Sequence, residues 1–355
     1  MRKVIFILLA LYLTVLTGCS ASTDKSVNGN DYKNTAAAST KTVENSSAMP
    51  LETKVSEETN KLPPKDKLIP VTLYCQDSGG YLIPVTVKIA KCTGIAKAVL
   101  NTLVDSPANY ELLKSFGLSP VLPEDTVIQG INIKNGTAVV DFNKKFLETK
   151  SAAQEKNIIS SIVYTLTEFK TIQNVKLLVN GYLCGKLKSG TDASGLLGRD
   201  NILVNAGSLK PENGKTKYDA YLYRNISENR YCLVPISREI KSNSMNDIVA
   251  GIFDFITKKL DETGLFTMLP VETKLLASSL KDNVLTINLS KDIKKYGGGT
   301  AREQGILDQI LFSMKQIKGV TKVKILIDGK EDTLPEGTEL KKELSVPDYI
   351  NEFDL

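Results

Sequence analysis

Residues 155–181 and 303–329 carry one pattern twice, and this duplication constrains the fold more than any other feature of the chain. From Glu155 onward, apolar residues fall at Ile158, Ile159, Ile162, Val163, Leu166 and Phe169, one face of a helix of period 3.6. A shift of 148 lands on Ile306, Leu307, Ile310, Leu311, Met314 and Ile317, all apolar again. The same shift takes Glu155 to Glu303, Val175-Lys176-Leu177 to Val323-Lys324-Ile325, and Asn180-Gly181 to Asp328-Gly329. Outside this stretch the match continues with slips of a few residues, as loop insertions produce. Leu122-Pro123 answers Leu269-Pro270, Leu82-Ile83-Pro84-Val85 answers Leu233-Val234-Pro235-Ile236, and Asp200 with Ile202 answers Asp348 with Ile350. A repeat of this length means one domain fold built twice.

Each copy reads β-β-α-β-β-α-β-β. Val71–Tyr74 and Tyr81–Ile89 flank a turn at Asp77-Ser78-Gly79-Gly80, a hairpin signal. Ile95, Ala96, Val99, Leu100 and Leu103 form the apolar face of a first helix, mirrored by Ile248, Val249, Ile252, Phe253 and Ile256. A second hairpin turns at Asn135-Gly136, and its counterpart offers Asp282-Asn283, residue types that tolerate positive φ. The expected fold class is α+β: two tandem domains, each a mainly antiparallel sheet with two helices on one face. Their expected bounds are 67–206 and 216–355, with a trailing arm after the last strand of each copy and a linker at 206–215.

The first eighteen residues point to a compartment. Arg2 and Lys3 precede an apolar run from Val4 to Leu16. Thirteen helical residues rise only about 20 Å, short of the roughly 30 Å hydrocarbon core, so residues 1–18 read as a signal peptide rather than a spanning helix. Leu16-Thr17-Gly18-Cys19 is similar to the lipobox of bacterial lipoproteins, in which cleavage occurs before a diacylated cysteine. The expectation is an extracytoplasmic protein anchored to the cell membrane through diacylglyceryl-Cys19. Residues 20–66 are rich in Ser, Thr, Asn, Lys and Ala, too polar to offset the entropy of ordering, and are expected to form a disordered tether. Of the remaining cysteines, Cys75, Cys92, Cys184 and Cys232, spacing selects neither a metal motif nor a disulfide pairing.

The run Thr137-Ala138-Val139-Val140-Asp141-Phe142, then Glu155, Val163-Tyr164-Thr165-Leu166-Thr167-Glu168-Phe169 and Val175 to Gly181, resembles the GerM domain. The resemblance covers residues 70–205 and again 217–350, more closely in the first copy. The second has Leu311-Phe312-Ser313-Met314-Lys315-Gln316-Ile317 in the helix and Asn288 where the first has Asp141. The resemblance implies a role in sporulation or spore germination, protein partners in a sporulation envelope complex, and a fold like ring-building modules that assemble side by side.

Candidate chemistry is sparse. The chain has no histidine, which removes imidazole bases, Ser-His-Asp triads and histidine metal ligands. Ser22–Lys25, Ser26–Asn28 and Lys188-Ser189-Gly190 imitate the boxes of penicillin-binding enzymes, but the first two lie side by side in the tether. A nucleophile needs a rigid helix and a base in reach. Glu155 and Glu303 match between copies and open their helices, where a carboxylate favours the dipole. The reading is therefore a non-enzyme with no cofactor, no metal and no nucleic-acid partner, the net charge of +5 being dispersed. Its contacts are expected on polar helix faces, with Lys156, Glu168, Lys315 and Gln316 as candidate interface residues. Rival readings are a cell-wall glycan-binding or hydrolase-accessory lipoprotein with peptidoglycan contact through Tyr218, Tyr221, Tyr223 and Tyr231, and a transporter substrate-binding lipoprotein.

Overall fold

In each copy a hairpin of alternating burial turns on positive-φ residues, Asn135-Gly136 in the first and Asp282-Asn283 in the second. The structure, a computed structural model, describes residues 68–210, 212–228, 230–260 and 264–353. The signal peptide, Cys19 and the tether at 20–66 lie outside the described residues.

In copy one, β1 (Leu68–Asp77) and β2 (Leu82–Ala90) form the first hairpin. Helices α1 (Ile95–Thr102) and α2 (Pro107–Lys114) follow, then the two-residue strand β3 (Leu118–Ser119). The second hairpin is β4 (Ile128–Lys134) and β5 (Thr137–Phe142), turning on Asn135 at φ 49° and Gly136 at φ 73°. Helix α3 (Ala152–Leu166), strand β6 (Asn174–Val179) and the short strands β7 (Tyr182–Leu183) and β8 (Leu197–Gly198) complete the copy. Copy two repeats the plan with β9 (Thr216–Ser227), β10 (Arg230–Ile240), α4 (Met245–Ile256), β11 (Leu265–Phe266), β12 (Leu275–Lys281) and β13 (Val284–Leu289). It ends with α5 (Gly299–Lys315), β14 (Lys322–Ile327), β15 (Leu344–Ser345) and β16 (Glu352–Phe353).

The α+β class and the mainly antiparallel pairing are as expected, with three differences of detail. The strands of each copy divide between two sheets: β16-β2-β1-β3 and β4-β5-β6-β7 with β8, against β10-β9-β11 and β12-β13-β14-β15. One pair per copy is parallel, β5 with β6 and β13 with β14. Each is joined through α3 or α5, and a helical crossover returns the chain in the direction it left. Helix α2 was not expected. Its signal is local, Ser106 capping Asn109 N–H with Pro107 at the first helical position.

The matched helix faces all turn inward. Ile158, Ile159, Ile162, Val163 and Leu166 are buried, as are all six counterparts, five in α5 and Ile317 just after it, while Phe169 packs partly buried against the core. Each fully buried aliphatic side chain contributes about 1.5–3 kcal/mol. One continuous apolar cluster runs from Val71 through Leu340, so the copies share a core. Lys61–Leu355 is one contact unit, and with its own core it has what a chain needs to fold alone.

Candidate functional site

The matched acids are the first residues to place. Glu155 and Glu303 are buried at the starts of α3 and α5. Glu155 Oε1 accepts from Ser189 N–H at 2.5 Å and Thr149 Oγ1 at 2.8 Å, and Oε2 accepts from Thr191 N–H at 3.2 Å. Glu303 Oε1 accepts from Thr338 N–H at 2.9 Å, and Oε2 from Glu336 N–H at 2.9 Å and from the Tyr296 hydroxyl. The two acids hold the same turn, Ser189-Gly190-Thr191 in one copy and Glu336-Gly337-Thr338 in the other. Burial raises both carboxyls, but these donors more than offset it and hold each below the usual glutamate range. Lys188-Ser189-Gly190, one of the enzyme-like boxes, is thus part of a clamped turn. Asp141 Oδ1 accepts Gly181 N–H at 2.9 Å, and Asn288 Oδ1 accepts Gly329 N–H at 2.7 Å. One accepted bond is all the position asks for, so an amide serves as well as a carboxylate.

A second set of matched contacts docks the long helices. Tyr74 N–H donates to Thr165 Oγ1 at 3.0 Å and Ser161 Oγ donates to Tyr74 O at 2.6 Å. In copy two, Tyr221 N–H donates to Ser313 Oγ at 3.0 Å and Gln309 Nε2 donates to Tyr221 O at 3.0 Å. The middle of β1 and of β9 lacks a full neighbouring strand on that side, and helix side chains satisfy its backbone instead.

The trailing arms cross between copies. Asn205 accepts Leu82 N–H at 2.7 Å and donates to Leu82 O at 2.8 Å and to Pro235 O at 3.0 Å. Asn351 accepts Leu233 N–H at 2.9 Å and donates to Leu233 O at 2.8 Å and to Pro84 O at 2.7 Å. Leu82 and Pro84 are the counterparts of Leu233 and Pro235, so the two clamps are mirror roles in an isologous joint. Both asparagines adopt positive φ, 50° and 46°. Just before them, Val204 N–H donates to Ser237 Oγ at 2.8 Å and Ile350 N–H to Thr86 Oγ1 at 3.1 Å, again in reciprocal positions. Strand β16, at the end of copy two, then adds to β2 in parallel and extends the first sheet of copy one.

Inside this joint the symmetry breaks. Tyr164 donates to Asp219 Oδ2 at 2.8 Å, Lys217 Nζ pairs with Asp219 Oδ1 at 2.8 Å, and Ser237 Oγ donates to Asp219 Oδ1 at 2.6 Å. The counterpart of Tyr164 is Phe312, packed beside Tyr221 with ring centroids 5.8 Å apart. Burial lowers the Lys217 ammonium although Asp219 opposes it, and burial and Asp219 push the Tyr164 phenol well up. Arg199 extends the network, donating to Glu168 Oε1 at 2.5 Å, Tyr164 O at 3.1 Å and Thr167 Oγ1 at 2.8 Å. The Tyr74 hydroxyl also donates to Glu168, at 3.1 Å. At the counterparts of Asp219 and Ser237, Thr72 and Thr86 share a hydrogen bond of 2.9 Å, and a cleft of about 210 Å³ is lined by Thr72, Glu168 and Asp348.

Three of the four candidate interface residues meet here. Glu168 bonds Arg199 and Tyr74, Lys315 Nζ donates to Asp348 O at 3.1 Å, and Gln316 Oε1 accepts Asp219 N–H at 2.5 Å. Burial raises the Glu168 carboxyl, but Arg199 and Lys315 hold it below the usual range. These three side chains are engaged within the chain, whereas Lys156 is exposed on α3. Arg199, Asn205, Asp219 and Asn351 were not foreseen, because each works through partners far away in sequence. Of the tyrosines singled out for glycan contact, Tyr218, Tyr221 and Tyr223 are buried and Tyr231 is exposed, stacking edge-on against Tyr223. Among the described residues Cys75, Cys92, Cys184 and Cys232 are free thiols, and burial pushes the Cys232 thiol up to about 12, which favours its protonated form. A second cleft, about 390 Å³, is rimmed by Lys258, Lys295 and Arg302, whose charges meet Asp254, Asp292 and the carbonyls of Met268 and Gly297. Among the described residues, no helix is long and apolar enough to cross a membrane and no group of acids and cysteines is placed to hold a metal.

With this geometry in place, the comparisons are specific. Residues 72–183 and 219–333 match the Germane family, described as sporulation and spore germination. The chain is 28% identical over 287 residues to the spore germination protein GerM of Bacillus subtilis strain 168, covering 79% of this chain and 77% of that one. The fold matches the tandem GerMN domains of the sporulation protein GerM from Bacillus subtilis with a TM-score of 0.70, at 27% identity over 80% of this chain and 99% of that one.

Proposed function

This chain belongs to the Germane family of sporulation and spore germination, and from that premise we propose that it is a non-enzymatic, membrane-tethered assembly module in one of those processes. One observation carries the non-enzymatic part: the acids shared by both copies spend their oxygens on backbone N–H groups of the same turn. A general acid or base needs a proton-transfer partner in reach of the substrate, and these carboxylates face their own loops. The joint supports the assembly part. Reciprocal asparagine clamps and a shared core hold the two copies in one compact unit, a scaffold suited to presenting surfaces of both copies together.

The tether follows from Leu16-Thr17-Gly18-Cys19 and the polar segment after it. Two acyl chains on Cys19 satisfy the two-anchor requirement for stable membrane attachment. In sporulating cells, Cys19→Ala should move the protein from the detergent phase to the aqueous phase on detergent partitioning and lower the yield of germinating spores. A variant that stays with the membrane, or releases a full yield of germinating spores from the aqueous phase, contradicts the tether.

A further inference from the structure

The connection from the first helix to the short strand is long in copy one and short in copy two. Residues 103–117 lie between α1 and β3 and include α2, whereas residues 257–264 lie between α4 and β11 with no counterpart of α2 among the described residues. The longer connection lays main chain along Val121 and Leu122. Val104 bridges Leu122 in parallel and packs against the core. Asp105 N–H donates to Leu122 O at 2.9 Å, and Leu103 O accepts from Val121 N–H at 3.0 Å and Leu122 N–H at 2.8 Å.

In copy two these positions are Met268 and Leu269, at the shift of 147 that takes Leu122-Pro123 to Leu269-Pro270. Side chains take over the donors: Met268 N–H bonds Gln309 Oε1 at 3.0 Å and Leu269 N–H bonds Thr267 Oγ1 at 3.1 Å. Leu269 O, the counterpart of the acceptor that Asp105 fills, takes no hydrogen bond among the described residues, although Leu269 is buried. Leu269 lines the cleft of about 390 Å³ with Phe266 and Val271, the last 44% exposed. Four cations line it too, Lys258, Lys259, Lys295 and Arg302, against one acid, Glu272. Lys258 and Lys295 pair at the surface with acids one helical turn away, contacts that contribute little. Arg302 spends two N–H groups on carbonyls, which leave its charge uncancelled.

We propose that this cleft binds an extended acidic segment of a partner protein, its main chain laid on Leu269 as Val104 and Asp105 lie on Leu122. Copy one supplies that strand from its own connection, and copy two takes it from outside. An incoming N–H donates to Leu269 O, an apolar side chain seats against Phe266 and Val271, and the acids after it meet Lys258, Lys295 and Arg302. Main-chain bonds then give affinity and the side chains give specificity. This goes beyond the assembly reading, and failure of either leaves the other standing.

Residues 61–355, one compact unit, are titrated with the peptide acetyl-Thr-Leu-Val-Asp-Asp-Glu-amide, which carries the stretch Thr102 to Asp105 and two further acids. Backbone amide signals of Met268, Leu269 and Val271 should shift and saturate in nuclear magnetic resonance spectra. The same peptide with lysine for all three acids should bind at least about tenfold more weakly. N-methylation of the first aspartate, which removes the N–H meant for Leu269 O, should cost roughly threefold to tenfold. Arg302→Glu should weaken binding at least about tenfold. Thermal melting shows whether that variant folds. If it does not, Val271→Glu decides, since it places at an exposed position the residue type of Glu124 in copy one and should cost about fivefold. No shift at these amides, equal binding of the lysine or N-methylated peptide, or undiminished binding by a folded variant overturns the proposal. Displacement of the peptide by an equal concentration of tripolyphosphate would overturn it too, since the cleft would then be a site for anions of any kind.

Discussion

Asp141 in copy one and Asn288 in copy two end equivalent strands and accept one N–H each, from Gly181 and Gly329. Tyr164 and Phe312 also occupy equivalent places, yet the first holds a buried aspartate through its hydroxyl and the second packs against a ring. The first exchange shows a position selected for accepting one bond, where the charge is idle. The second shows an asymmetry set into the joint itself, Asp219 pairing with Lys217 where its counterpart Thr72 bonds Thr86. Positions that hold the turns, dock the helices and clamp the arms keep their roles across the duplication. Those inside the joint have diverged, Tyr164 against Phe312 and Asp219 against Thr72.

The strongest way to break this comparison is to remove the shared acids. Glu155→Ala and Glu303→Ala should each cost about 3 kcal/mol, since each strands several buried donors. The two losses should add in urea denaturation, because they lie in different copies and share no partner. Both folded carboxyls lie below the usual range, so their contribution is complete above the unfolded value of roughly 4.3 and is lost as pH falls through the lower folded value. The gap between wild type and either variant should therefore shrink between about pH 5 and pH 3.

The arm clamps come next. Asn205→Ala and Asn351→Ala should each cost about 2 kcal/mol by leaving backbone groups of Leu82, Pro235, Leu233 and Pro84 without partners. Unlike the acids they share one joint, so the double variant should fall short of the sum. Strict additivity would mean the clamps are independent and the isologous reading is wrong. Tyr164→Phe copies the second half into the first and should cost only about 1 kcal/mol, Asp219 keeping Lys217 and Ser237. The smallest effect is reserved for Asp141→Asn, expected within about 0.5 kcal/mol of wild type by thermal melting. A larger loss would assign that carboxylate a role its counterpart lacks.

Much of this was legible beforehand, and for a physical reason. Helical faces and hairpin turns are local, so Ile158 through Leu166 and the Asn135-Gly136 turn could be placed from spacing alone. Burial of the counterpart residues in α5 then needed only the shift of 148. Parallel pairing of β5 with β6 follows from the crossover through α3, which a pattern of hairpins obscured. The joint could not be read this way. Asn351 reaches Pro84 across 267 residues and Arg199 reaches Glu168 from the arm, and no periodicity marks such partners. The expectation that Glu168 and Lys315 stand free on helix surfaces missed this burial for the same reason. A faint signal did exist: Val204-Asn205 and Ile350-Asn351 repeat at a shift of 146, two residues away from the pairing of Ile202 with Ile350 read from the sequence.

The central claim is that acids common to both copies hold turns and perform no chemistry. It is tested most directly by Glu155→Gln with Glu303→Gln, produced in sporulating cells at a temperature where immunoblotting shows wild-type levels of folded protein. Glutamine keeps an acceptor for the turn and cannot exchange a proton at either position. The account predicts wild-type yields of spores that germinate normally. A stable double variant that accumulates to the wild-type level yet yields no germinating spores would contradict it.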